Sequence, residues 1–130
     1  MTAPAYGILS PPFERTALLS AERTVDTNGP DITNPGSGGG VFTIDVSNIA
    51  GAAPSIIPTI QGKDPVSGNY YNILVGPSIL VQDTVVMRVI PGILDLANFA
   101  LSEFLPKIFR IKFAHLNTDE ITYSVGVTLT

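Results

Sequence analysis

The chain has 130 residues and a mass of 13.7 kDa, which is the size of one domain with a single core. Charged residues make up only 14% of the sequence and the net charge is −4, whereas soluble domains average about 25% charged residues. The basic residues are scattered, which argues against nucleic-acid binding, because phosphate neutralisation needs a clustered basic face. The absence of cysteine excludes disulfides, thiolate zinc sites and a cysteine nucleophile.

Residues 1–6 lack the basic start and apolar block of a secretory signal. The most apolar stretch, 85–105, is interrupted by charged residues and a proline, so it does not predict a membrane span. We therefore expect synthesis in the cytoplasm and no membrane insertion. A surface this poor in charge must be covered by neutral polar groups or by a partner.

Residues 1–40 differ from the rest and predict an extended N-terminal arm that ends in a Gly/Pro-rich loop. Within them, 27–40 consists almost entirely of turn-forming residues, which cannot bury enough apolar area to offset chain entropy, and this predicts a flexible loop. The segment 16–25 is periodic enough to be one short element. A strand is favoured over a helical turn there, because no helix cap or stop signal is evident.

From residue 41 onward, apolar and polar residues alternate with a period of two, which is typical of half-buried strands. The predicted strands are 41–47, 55–63, 69–75, 84–90, 107–115 and 120–129. Pro58 lacks a backbone donor, so it is expected on an edge strand or at a bulge. The segment 93–104 is compatible with one short helix. The fold class predicted for 41–130 is all-β, a β-sandwich or small barrel of about six to eight antiparallel strands.

A search for reactive groups finds isolated candidates only. His115 ends a strand and is interpreted as a structural or interface residue, since a catalytic triad needs a nucleophile and an orienting acid as well. Asp119 and Glu120 are adjacent, so on a strand they point to opposite faces and are not expected to share a site. Asp26 and Asp31 supply oxygen ligands without the spacing of a calcium loop.

Two further motifs bear on binding functions. The glycine-rich stretch 36–40 precedes a predicted strand instead of a helix and lacks the lysine of a phosphate-binding loop, so it is interpreted as a linker. Tyr70 and Tyr71 could provide a stacking platform for a sugar or base. Because neighbouring strand residues face opposite sides, one of them is expected to pack and the other to be displayed. The sequence predicts no enzyme, no metal and no cofactor.

Four sequence patterns resemble small virion proteins of tailed bacteriophages and occur in the same order there: TIQGKDPVSGNYYNIL, RVIPG, LPKIFRIKF and ITYSVGVTL. The resemblance covers about residues 40–130 and concerns a fold without an active site. It implies a capsid decoration (cement) protein that binds the major capsid protein on the outer capsid surface. It also implies a homotrimer and a location in the virion, with no nucleic-acid or membrane partner.

Decoration requires contact area and no chemistry, which agrees with a charge-poor surface. Six apolar residues of the arm are the predicted partner-binding anchors, because they have no core of their own to enter: Tyr6, Ile8, Leu9, Phe13, Leu18 and Leu19. Deleting residues 1–24 is expected to weaken capsid binding while the domain stays folded. The alternatives are a minor tail or head–tail joining component, and a carbohydrate-binding module displayed on the virion.

Overall fold

The computed structural model describes residues 13–130, and in this part of the chain all regular structure is β. The ten strands are β1 (Glu14–Arg23), β2 (Thr27–Asn28), β3 (Ile32–Thr33), β4 (Gly40–Ile49), β5 (Ile56–Lys63), β6 (Tyr70–Val75), β7 (Asp83–Val89), β8 (Ala100–Leu101), β9 (Ile108–His115) and β10 (Ile121–Leu129). They form two separate sheets and do not close into a barrel. The all-β class is confirmed, and the six long strands predicted after residue 40 all occur close to their predicted bounds.

The first sheet has the order β1-β10-β4-β7-β8, and the second has the order β2-β9-β5-β6 with β3 also pairing with β9. All pairs are antiparallel except β7 with β8, which is parallel. Pro58 lies in β5, an inner strand and not an edge. Its position nevertheless tolerates proline, because the pairing of β5 with β6 ends at Thr59–Val75 and does not include Pro58, the residue before Thr59.

One core receives side chains from both sheets. Phe42 of β4 meets Phe109 of β9 edge-on, with ring centroids 5.7 Å apart at 80°, a favoured geometry for aromatic pairs. The alternation predicted from the sequence is confirmed along β10, where Ile121, Tyr123, Val125, Val127 and Leu129 are all buried. Burial of this apolar set is the main stabilising contribution to the fold.

Residues 13–40 belong to the same two sheets as the later strands. β1 pairs with β10 over most of its length, and the segment predicted as a flexible loop contains β2 and β3 on β9. Hydrogen bonds of Asn34 help to hold this segment in a defined conformation, although it contains few apolar residues. Its buried side chain donates to the carbonyls of Ser37 and Leu105 and accepts from the backbone amides of Gly36 and Ser37. The division into an arm (1–40) and a domain (41–130) stays a prediction.

The helix predicted over 93–104 is wrong. A tight turn forms instead, in which the carbonyl of Leu96 accepts from the amides of Phe99 and Ala100, and β8 follows. Asn98 adopts φ = 70°, a left-handed conformation that interrupts a helix. The apolar stripe expected for the helix is not buried, since Leu94 is 88% exposed. Without a surface to cover, helical periodicity alone does not stabilise so short a segment.

Candidate interaction surface

Each sheet has two terminal strands, and the two sides of the molecule on which these strands lie differ in how much of the sheet edges other residues cover. On one side, here called the closed edge, β1 meets the turn between β2 and β3: Gly29 donates to the carbonyl of Ile111, and Pro30 lies beside Ala17 and Leu18. On the other side, here called the open edge, β6 and β8 are the last strands of their sheets. Exposed apolar side chains line the open edge: Tyr71, Val75, Leu80, Val81, Phe99 and Phe104.

Four of these residues form a connected surface, namely Val75, Leu80, Val81 and Phe99. Leu80, Val81 and Phe99 line one shallow depression, and the side chain of Asn98 next to Phe99 donates to the carbonyl of Val75 at 3.0 Å. A second depression continues from Leu80 to Leu116. Monomeric proteins seldom leave a connected apolar surface in water, and such surfaces commonly bind a partner.

A groove of about 440 Å³ lies on the open edge, at the mouth between the sheets. Its walls are formed by Tyr71, Asn72, Ile73, Leu101, Glu103, Phe104 and Pro106. Phe104 is 69% exposed and Tyr71 48% exposed, so each presents much of its ring to solvent.

Gly62 fixes the position of the Tyr71 ring. The two residues are paired across β5 and β6, and a Cβ at Gly62 would lie 2.5 Å from the Tyr71 hydroxyl and 2.9 Å from the ring of Pro106. The ring of Tyr71 therefore rests on the backbone of Gly62, as aromatic residues do opposite a strand glycine.

Tyr70 faces the other side of its sheet and is engaged in a polar cluster. Its hydroxyl donates to Asp31 at 2.6 Å, and the guanidinium of Arg110 lies 3.4 Å from its ring centroid. Lys63 forms an ion pair with Asp31 at 3.0 Å. The hydrogen bond from Tyr70 and that from Lys63 lower the pKa of Asp31. Tyr70 therefore has one ring face covered by Arg110, and Tyr71 is the more displayed of the two tyrosines.

His115 lies in a second cluster, at the end of the closed edge. Its Nε2 is 2.8 Å from the hydroxyl of Tyr123, and its backbone amide donates to Asp26. Burial lowers the pKa of His115, with a smaller contribution in the same direction from Arg23. Arg23 donates to the carbonyl of Tyr123 at 2.6 Å and lies over its ring. These contacts join β1, β9 and β10 and give His115 a structural environment.

The acidic residues considered in the sequence each have a defined neighbour in the structure. Asp26 accepts from His115 and Asp31 from Lys63 and Tyr70, and no group of three potential metal ligands occurs among residues 13–130. Asp119 accepts from the amide of Ala53, whereas Glu120 meets Glu22 on β1, which raises the pKa of Glu120. The glycine-rich stretch leads directly into β4, and its last two residues, Gly39 and Gly40, are buried.

Of the six predicted anchors, Tyr6, Ile8 and Leu9 lie outside the described residues. Phe13 and Leu18 are partly buried against the protein's own core, whereas Leu19 is 76% exposed. Their role as partner contacts stays a prediction. The sequence did not identify the open edge, because its residues come from one strand, one turn and two loops whose proximity depends on the sheet order.

A scan against protein-family models, a search of curated proteins and a search of solved structures found no match to this chain. In the described part of the chain, no helix is long and apolar enough to cross a membrane.

Proposed function

We propose that this protein is a structural virion component that binds other protein subunits, and that it decorates the outer surface of a bacteriophage capsid. The sequence patterns of residues 40–130 suggest the family, and the open edge supplies the physical basis for binding. The exposure of Leu80 and Phe99 in one depression, with Phe104 exposed in the groove on the same edge, is the single observation that carries the proposal. Apolar residues of this size at the centre of an interface commonly contribute most of its binding free energy.

We also propose that the two sheets pack face to face as a β-sandwich. Its support is the pair of aromatic contacts between the sheets, Phe42 with Phe109 and Phe113 with Tyr123, whose centroids lie 5.7 and 4.4 Å apart. A sandwich suits a decorating subunit, because packed sheets form a rigid body whose edges are free to contact neighbours. Membership of a homotrimer rests on the family resemblance, and native mass spectrometry of the free protein tests it.

The test is binding to capsid shells of the phage that carries this gene, purified without this protein. The variant Leu80→Ser/Phe104→Ser removes two large apolar side chains from the open edge. Binding should weaken by at least about tenfold, since each substitution removes contact area worth roughly 1 kcal/mol or more. Co-sedimentation over a range of protein concentrations measures the affinity.

The matched control is Val25→Ser/Val66→Ser, which also replaces two exposed apolar residues, in the connections β1–β2 and β5–β6, but lies outside the two depressions that Leu80 and Phe104 line. Its affinity should stay within about twofold of the parent, because isolated surface substitutions contribute little. Circular dichroism should show the same melting temperature for both double variants. Equal affinities for the two double variants would refute the open edge as the binding surface, and no binding by the parent would refute decoration itself.

Copy number separates decoration from the tail alternative. A decorating protein occurs at every equivalent position of the shell, whereas a joining protein forms one ring of fixed size at a vertex. Quantitative mass spectrometry of intact particles distinguishes these two results. A carbohydrate-binding module would instead depend on Tyr71, and a glycan array with Tyr71→Ala tests that alternative.

A further inference from the structure

One stretch of β6 has backbone hydrogen-bonding groups that point away from its sheet. Antiparallel strands alternate between residue pairs that exchange hydrogen bonds and pairs that do not. The amide of Asp64 donates to the carbonyl of Asn69 at 2.8 Å, in the connection between β5 and β6. Two residues further along β6, Tyr71 is therefore hydrogen-bonded to β5. The backbone groups of Tyr70 and Asn72, on either side of it, point outward.

Val75, at the other end of β6, limits this outward-facing stretch. The amide of Gly76 donates to the carbonyl of Pro58 at 2.7 Å, so the backbone of Val75 also points away from β5. Its carbonyl accepts from the side chain of Asn98 at 3.0 Å. A register shift, typical of a β-bulge, separates this capped end from residues 70–72, here called the free window. No described residue hydrogen-bonds to the outward backbone groups of the free window.

The free window is symmetric about Tyr71, because Tyr70 and Asn72 each offer one outward donor and one outward acceptor. When a second copy runs antiparallel with the two Tyr71 residues opposite each other, Tyr70 of each copy lies opposite Asn72 of the other. These two pairs exchange backbone hydrogen bonds in both directions, as in an antiparallel ladder. A longer strand of another protein would gain no further backbone bonds, because the bulge and Asn98 end the window. The window therefore suits its own copy.

Charge and side chains around the free window also favour a second copy. Residues 65–82 contain no charged side chain, although the chain carries −4 overall, so two copies meet here without like charges on their strands. Sheet edges are commonly protected by lysine or proline, and β6 contains neither. The exposed rings of Tyr71 and Phe104 line one groove, in which Glu103 bonds to the amide of Phe104 at 2.9 Å. Pairing at Tyr71 brings the grooves of the two copies side by side, and aromatic residues are enriched at such interface centres.

We propose that two copies of the free protein pair along β6, with Tyr71 at the two-fold axis, and so join their second sheets into one continuous sheet. This inference does not rest on capsid binding. Two-fold pairing gives dimers, whereas the sequence resemblance implies trimers, so the mass of the assembly separates the two. The depression that Leu80 and Phe99 line lies outside the free window, and pairing leaves it to another partner.

The mass of the full-length protein in solution is the first test. Sedimentation equilibrium over a range of concentrations should show a monomer–dimer equilibrium. Tyr71→Lys removes an aromatic contact and places two like charges opposite each other, which should weaken the dimer at least about tenfold. The matched control is Leu19→Lys, which makes the same charge change at an exposed apolar residue of β1, on the closed edge. Its dimer affinity should stay within about twofold of the parent.

Disulfide trapping locates the axis independently, because the parent sequence contains no cysteine. In the proposed dimer the two Tyr71 residues form a pair without backbone hydrogen bonds, whose Cα atoms lie about 4.5 Å apart, and this separation suits a disulfide. The control, Val75→Cys, changes an exposed residue of the same strand whose two copies lie roughly 25 Å apart in the dimer. Non-reducing electrophoresis should show interchain linkage at least about tenfold faster for Tyr71→Cys than for Val75→Cys.

Three results would overturn the inference. The first is a parent protein that stays monomeric at every concentration, and the second is a trimer as the only assembly, because two-fold pairing cannot produce it. The third is an equal rate of linkage for the two cysteine variants, which would mean that the copies meet elsewhere or only by random collision. Because no measurement here involves capsids, these failures leave the decoration proposal standing, and a failure of capsid binding leaves the dimer testable.

Discussion

On the closed edge, β1 and the turn between β2 and β3 cover the ends of both sheets, whereas on the open edge β6 and the two-residue β8 leave Leu80 and Phe104 in solvent. The closed edge is fixed by polar contacts of buried or half-buried groups, with Asn34 and Arg23 as their centres. On the open edge, polar contacts join Asn72 to Gln61 and Asn98 to the carbonyls of Val75 and Gly76. In the described part of the chain, six of the twelve large apolar side chains that are exposed lie on the open edge, and exposed apolar patches are typical of binding surfaces.

The largest expected effect concerns the closed edge. Deleting residues 1–24 removes β1, whose residues pair with β10 from Glu14 to Arg23. The sequence alone suggested that the domain would stay folded after this deletion. The structure predicts the opposite: the buried Ala17 and the contacts of Arg23 are lost, and β10 becomes an unprotected edge. We expect loss of cooperative unfolding or a cost of several kcal/mol, which is most of the stability of a small domain.

Deletion of residues 1–12 is the matched control, because it ends just before Phe13 and leaves every described strand intact. Urea unfolding followed by circular dichroism measures both variants. The shorter deletion should unfold cooperatively with a midpoint close to that of the parent. If the longer deletion does so too, β1 is not part of the stable fold, and the contrast between the two edges disappears.

The sequence predicted the strands whose apolar and polar residues alternate locally. It did not predict the segments whose structure depends on contacts with residues far away in the chain. In β10, every second residue is apolar, and these residues are the buried ones because a strand places alternate side chains on one face. The segment 27–40 has hardly any apolar pattern, and its structure depends on Asn34, which bonds to a carbonyl 71 residues away. Such a contact has no local sequence signal.

The candidate site was less predictable for the same reason. Nothing in the sequence places Tyr71 beside Phe104 or Leu80 beside Phe99, because the strand order that joins them is not local. The helix predicted at 93–104 also covered the two residues that form β8, so this strand was not predicted. Its apolar residues fit a helical stripe, but the turn at Asn98 directs the chain alongside β7.

The second effect tests how the closed edge is held. Asn34→Ala removes all four hydrogen bonds of a buried side chain and leaves the amides of Gly36 and Ser37 and the carbonyl of Leu105 without that partner. The expected loss is about 3 kcal/mol in the free energy of unfolding, since unsatisfied buried polar groups cost about 1–3 kcal/mol each and water can reach some of them. Chemical denaturation measures it.

Asn28→Ala is the control for this substitution, because Asn28 is exposed and lies on β2 of the same edge. It should change the free energy of unfolding by no more than about 0.5 kcal/mol. Similar losses for Asn28→Ala and Asn34→Ala would mean that general strand propensity, and not the Asn34 network, holds this segment.

The smallest effect is a pH dependence of the closed edge through His115. Burial, with help from Arg23, keeps the pKa of His115 below its ordinary value of 6.5, and Asp26 opposes this shift. The unfolded chain therefore takes up a proton at a higher pH than the folded protein. Stability should fall as the pH drops below about 6.5 and should level off once the pH has passed the lower pKa of the folded state.

His115→Gln retains a side chain that can hydrogen-bond to the hydroxyl of Tyr123 but does not titrate. The free energy of unfolding, measured between about pH 5 and 8 for both proteins, should therefore fall less steeply on acidification in the variant. Glu120, whose pKa is raised by Glu22, is present in both proteins, so its contribution cancels in the difference. Identical pH profiles would show that His115 is as accessible to protons in the folded protein as in the unfolded chain, and the closed edge would then be looser than its hydrogen bonds indicate.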